Sequence, residues 1–141
     1  MKLFLSEINK REWTTLLKKI GSDRKWFISI LNQSKTEYYT INLDASINKK
    51  PAIGACTLCQ FDEFVDCSIF IYSEFQKKGY GKEIVTQLTS LSPNIKFTVS
   101  IYNADSIKFF QSIPFLKRID SNHVNKTISF KKSNSNVVRS T

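Results

Sequence analysis

Apolar and polar positions along this chain follow two periods, and the switches between them predict its elements. Residues 2–5 form a short apolar stretch that reads as an opening strand, with Ser6 expected as the N-cap of a first helix. Trp13, Leu16, Leu17 and Ile20 then fall at i, i+3, i+4 and i+7, one apolar stripe that Gly21 ends. Asp23 is set to cap a second helix carrying Trp26, Phe27, Ile30 and Leu31, although that stretch is also short enough for a strand. From Glu37 the period drops to two, because Tyr39, Ile41 and Leu43 alternate with Tyr38, Thr40 and Asn42. Residues 44–51 carry loop chemistry. Residues 52–61 and 65–72 are further β-rich runs joined by Asp62, Glu63 and Phe64, so a three-strand antiparallel meander is expected.

Helix and strand alternate through the rest. Ile84, Val85, Leu88 and Leu91 give residues 81–91 an apolar helical face, and Ser92-Pro93-Asn94 stops it. Residues 96–102 read as a strand, 103–113 as a helix stopped by Pro114, and 115–119 and 126–132 as two last strands. The order is β, α, α, β, β, β, α, β, α, β, β, with no internal repeat and no linker. That predicts one mixed α/β (α+β) domain over residues 1–132 and a frayed tail over 133–141.

A length of 141 residues suits one domain of the usual size, and 41% hydrophobic with 13% aromatic residues is enough for a core. Disordered, collagen-like and low-complexity classes are excluded. Lys and Arg outnumber Asp and Glu by 21 to 12, a net charge of +9 that favours anionic partners without choosing between nucleic acid, anionic lipid and a phosphorylated small ligand. Three cysteines, Cys56, Cys59 and Cys67, are too few for a disulfide scaffold and fit a reducing cytoplasm. Charge arrives at Glu7 before a secretory apolar region can form, and no stretch approaches the roughly 18 apolar residues of a membrane span. A soluble cytoplasmic protein without signal peptide or membrane association is expected.

The chemistry concentrates in residues 68–82. An apolar strand (Ile69, Phe70, Ile71) leads through Ser73-Glu74-Phe75 into Gln76-Lys77-Lys78-Gly79-Tyr80-Gly81-Lys82, and then into an amphipathic helix. Glycine accepts positive φ, so backbone N–H groups can converge at a helix start that already carries partial positive charge. Lys77, Lys78 and Lys82 add full charges, and together these features describe a pyrophosphate cradle. A P-loop fits worse, since Gly81-Lys82 is followed by Glu83, and a dinucleotide fingerprint lacks its third glycine at Ile84. A plain helix start flanked by solvated lysines is the competing interpretation.

The strand, the Gln76-x-x-Gly79-x-Gly81 block, a helix, another strand and then Asn103-Ala104-Asp105-Ser106-Ile107-Lys108-Phe109-Phe110 resemble the GNAT acetyltransferase superfamily. The resemblance implies a mixed central sheet of about six to seven strands flanked by about four helices. It also implies that acetyl-CoA, with no metal, lies where the fourth and fifth strands splay. Its pantetheine would pair with Ile69, Phe70 and Ile71, and its pyrophosphate would sit on Gln76, Lys77, Lys78, Gly79, Tyr80, Gly81 and Lys82. Asn103 would bond the pantetheine arm or orient its helix, and Phe110 stands where many relatives carry a tyrosine acid beside the coenzyme. The reaction implied is direct attack of a primary amine, on a small molecule or a protein, at the thioester carbonyl.

Two departures follow. Phe110 cannot donate a proton, and residues 97–101 hold no carboxylate. Departure of a thiol with a pKa of about 8.5 tolerates the first. Asp66 becomes the candidate base, with Glu63 in the preceding turn and a solvated strand-edge carboxylate as the competing interpretation. Alternation sets Asp66 level with Ser68, Phe70 and Tyr72 and opposite to Ile69 and Ile71. Zinc on Cys56, Cys59, Cys67 and His123 is disfavoured, because a three-residue offset within a strand turns Cys56 and Cys59 to opposite faces. His123 reads as a solvated loop residue, and Trp13, Trp26, Phe27, Tyr38 and Tyr39 as core, with Trp26 or Tyr38 able to line an acceptor site. The leading function is therefore N-acetyl transfer from acetyl-CoA, with a homodimer left open. A CoA-binding module without turnover is the main alternative, and a basic nucleic-acid-binding domain is the least supported because only its charge speaks for it.

Overall fold

The computed structural model describes residues 3–16, 36–43, 52–122 and 126–133. Seven strands form one sheet in the order β1-β2-β3-β4-β5-β7-β6. They are β1 (Phe4–Ile8), β2 (Thr36–Asn42), β3 (Gly54–Gln60), β4 (Val65–Ile71), β5 (Ile95–Ser100), β6 (Leu116–Asn122) and β7 (Thr127–Lys132). Three α-helices accompany them among the described residues: α1 (Lys10–Leu16), α2 (Tyr80–Leu91) and α3 (Ala104–Gln111), with a 3-10 turn over Ser73–Phe75. The predicted meander is present, since β2, β3 and β4 pair antiparallel in sequence. Among the described strands only β4 and β5 pair parallel, as the helical crossover through α2 requires. The second predicted helix, with Gly21, Asp23, Trp26 and Phe27, and the loop residue His123 lie outside the described residues.

Each face of the sheet has its own apolar cluster, and the alternation along β4 shows which residues feed which. Cys67, with Ile69 and Ile71 partly buried, packs with Ile84, Val85 and Leu88 of α2 and with Phe110 of α3. Phe70 points the other way and packs with Trp13 of α1, Tyr38 and Ala55. Under α3, Phe110 stacks between Phe97 and Phe130 at ring separations of 5.4 and 5.3 Å. Each such ring pair adds about 0.5–1.5 kcal/mol beyond its buried area. The side-chain amide of Gln87 anchors α2 to β1, accepting from Leu3 N–H at 2.8 Å and donating to Leu3 O at 2.9 Å. The chain leaves α2 at Ser92, whose N–H reaches Leu88 O, and Pro93 prevents a further turn.

The first helix begins later than expected. Ser6 is not its cap: it lies inside β1 opposite Thr40. Asn9 caps instead, its Oδ1 accepting from Glu12 N–H at 2.8 Å while the Glu12 carboxylate accepts from Asn9 N–H at 3.2 Å. That reciprocal pair is a capping box whose cap lies three residues downstream of the expected Ser6, and the strand continues to Ile8 because Ile8 still pairs with Tyr38.

Candidate functional site

The parallel ladder between β4 and β5 is short. It runs from Val65 opposite Ile95 through Asp66 opposite Lys96 to Cys67 opposite Phe97, and there it stops. Beyond that point β4 continues to Ile71 alongside β3, and β5 continues to Ser100 alongside β7. Two neighbouring strands thus share a base and part towards their C-terminal ends. The base is held by the turn before β4, where Val65 N–H donates to Asn94 O at 3.3 Å and the Asn94 amide donates to Glu63 O at 3.2 Å.

The exit of β4 is built largely from main chain. After the 3-10 turn, Gln76 reaches back and donates from Nε2 to Ile71 O at 2.8 Å, tying the loop to the strand end. Lys77 adopts φ 61° and Gly79, the N-cap of α2, φ 87°, so the backbone curls twice before the helix begins. The ring of Tyr80 faces that of Phe75 at 6.5 Å and brackets the loop. In α2 the N–H of Glu83 reaches Gly79 O at 3.1 Å, and the amides before it are the orphan donors of a helix start. Gln76, Lys77, Lys78, Gly79 and Lys82 are exposed, and a Cβ at Gly79 would meet nothing within 4 Å. A run of amides turned by two positive-φ residues, with helix polarity behind it and exposed lysines along it, suits an anion.

The two glycines do different work. A Cβ at Gly81 would come within 3.0 Å of the Phe109 ring, so the lack of a side chain here permits the close approach of α2 and α3. Asn103 is fixed at the start of α3, where its Oδ1 accepts from Ser106 N–H at 3.0 Å; of its two expected roles, orienting the helix is the one observed. Phe110 is 3% exposed and clasped in the Phe97 and Phe130 stack, its position on α3 directing the ring into the core.

Asp66 stands on the α1 face of the sheet, level with Ser68 and Phe70, opposite Cys59 on β3 and Lys96 on β5. It is not a solvated edge residue: it is half-buried and accepts a hydrogen bond from Thr98 Oγ1. Burial pushes its carboxyl above the ordinary value of 3.8, against the lowering effects of the Thr98 hydrogen bond and the Lys96 charge. Thr98 in turn lies 3.2 Å from Ser129 Oγ on β7. Ser68 and its cross-strand partner Thr57 are buried beside this line. Glu63 stays exposed in the preceding turn. Neither Thr98 nor Ser129 was singled out from sequence, since a Thr or Ser alternating in a strand carries no local signal. Cys56 and Cys59 do face opposite sides, Cys56 towards the α2 cluster, and Cys56, Cys59 and Cys67 are all buried without forming a disulfide.

A seven-stranded mixed sheet whose fourth and fifth strands part above a glycine-closed helix start is the acetyltransferase architecture of GNAT type. The chain belongs to the Acetyltransferase (GNAT) family, whose model matches residues 3–115. Solved structures agree on the fold. The PaiA N-acetyltransferase of Thermoplasma acidophilum in complex with coenzyme A superposes with a TM-score of 0.62 at 13% identity, covering 94% of this chain and all of that one. A GNAT family acetyltransferase from Elizabethkingia anophelis with acetyl-CoA bound gives 0.60 at 11%, covering 93% and 98%. The Bacillus subtilis acetyltransferase in complex with CoA gives 0.59 at 15%, covering 94% and 98%. The search of curated proteins returned no match. Among the described residues no helix is long and apolar enough to cross a membrane.

Proposed function

We propose that this chain is an acetyl-CoA-dependent N-acetyltransferase that acetylates a primary amine in a reducing cytoplasm. The observation that carries this reading is the parting of β4 and β5 beside the Gly79 turn. An extended pantetheine arm would add to β4 through main-chain bonds at Ile69, Phe70 and Ile71, in the manner of an added strand. The diphosphate would rest on the amides from Lys77 to Lys82, with Lys77, Lys78 and Lys82 supplying charge from the rim. Bound there, acetyl-CoA supplies a thioester carbonyl.

Asp66 lies on the α1 face, one residue before the strands part. From there its carboxylate takes the proton that a protonated amine must lose before its nitrogen can attack. A lysine-type amine, with a pKa of about 10.4, needs such a base more than an α-amine of about 7.7–8.0. The new bond is C–N and the broken bond C–S, and the second proton of the attacking nitrogen passes through water to the departing thiolate. One ammonium and one thioester become one amide, one thiol and one released proton. Raising acetyl-CoA to 100 times its dissociation constant should stabilise the fold by about 2.7 kcal/mol, read as a rise in Tm. Release of free thiol across an amine panel then reports turnover, and absence of CoA uptake in calorimetry would sink the reading. One observation favours a second reading: with Phe110 packed into the core and bearing no hydroxyl, the chain could bind CoA without turning it over. A Tm rise with no thiol release from any amine would select it.

A further inference from the structure

We propose that Thr98 is the positioning residue of the base, held by Ser129, so that a line of hydroxyls across β7, β5 and β4 fixes the Asp66 carboxylate at the point where the strands part. The inference rests on the transferase reading of the cleft and adds residues that reading does not use. Asp66 is opposite Lys96, so Thr98 lies two residues further along β5 and on the same face, beyond the end of the shared ladder. Thr98 is itself opposite Ser129. A threonine hydroxyl has one proton, and Thr98 gives it to Asp66. The 3.2 Å contact with Ser129 Oγ must therefore run the other way, with Ser129 donating to Thr98. Ser129 is only 7% exposed, so water competes poorly for its contact with Thr98. Thr98 is β-branched and sits in a strand, which restricts χ1 and keeps its hydroxyl on Asp66.

The relay has a direction that suits a base. A hydroxyl that donates to a carboxylate favours the ionised form, and it offsets part of what burial does to Asp66. Lys96 of β5 acts in the same sense, while Cys59 of β3 lies directly across from the carboxylate. A merely structural Thr98 would change stability without touching the protonation of Asp66.

The test uses the full chain. Thr98→Val should lower kcat about tenfold with KM for acetyl-CoA unchanged, and should move the acidic limb of the pH–rate profile upwards. Thr98→Ser, which keeps the hydroxyl, should restore both, and Ser129→Ala should give a smaller shift in the same direction. Carbon-13 NMR titration of the Asp66 carboxyl reads the same effect without turnover and should move up in Thr98→Val. A wild-type rate with an unmoved limb in Thr98→Val overturns the relay, as does an unmoved Asp66 titration in a folded Thr98→Val. If the titration moves but the wild-type protein takes up no CoA and acetylates no amine, the transferase reading fails and the base role with it.

Discussion

The two sides of the cleft are made from different materials. At the exit of β4 the candidate coenzyme site is main chain: the end of a strand, two residues at positive φ and the first amides of α2. At its base the candidate chemistry is side chain: Asp66, Thr98 and Ser129, one from each of three adjacent strands. A site of amides needs only that the backbone can reach its conformation, so Lys77, Lys78 and Tyr80 could vary widely there. A site of hydroxyls and a carboxylate depends on each member, because truncating one removes a hydrogen bond that positions the next. Damage to the first should therefore appear in binding, and damage to the second in turnover.

Substitutions can separate the two. Asp66→Ala is expected to cut kcat about a hundredfold, at the low end for loss of a general base, with acetyl-CoA affinity unchanged by calorimetry. Equal turnover in the variant would remove Asp66 from the mechanism. Gly79→Val places a β-branched residue at φ 87°, a strain of about 1–3 kcal/mol, and should weaken acetyl-CoA about ten- to a hundredfold in the same calorimetric assay. Unimpaired binding would mean that the loop amides do not hold the diphosphate.

Phe110→Tyr tests the line between site and core. A hydroxyl added inside the Phe97 and Phe130 stack should cost about 1–3 kcal/mol of stability, seen as a lowered Tm, with no gain in turnover. A raised kcat would show instead that position 110 addresses the thioester. The smallest effect is linkage at Asp66. Its folded pKa is raised above the unfolded one, so its contribution is fully present below the unfolded pKa and is lost as pH rises through the folded pKa. Wild type should therefore lose stability relative to Asp66→Asn as pH rises from about 4, measured as paired chemical denaturation curves.

Legibility from sequence divides along the same line. The Gln76-x-x-Gly79-x-Gly81 block could be read because a backbone conformation leaves its mark on adjacent residues, and glycine at a helix mouth is such a mark. Gly81 shows the limit: spacing placed it in the cradle but carried no sign that the Phe109 ring lies against its missing side chain. Phe110 shows the same limit, since a spacing of seven residues after Asn103 does not say whether a ring on α3 turns to the cleft or to the core. Ser6 was displaced as a cap because Asn9 and Glu12 answer each other locally and Ile8 still had a strand partner in Tyr38.

Over the described residues, periodicity alone settled the alternation of strands and helices, the antiparallel meander and the division of β4 into two faces, since each depends on contacts between near neighbours. The tertiary structure alone decided which face of β4 meets α1, where the ladder with β5 ends, and that Thr98 and Ser129 come to Asp66 from more than 30 residues away in each step. Hydrogen bonds between strands distant in the chain depend on register, and register is set by the whole sheet.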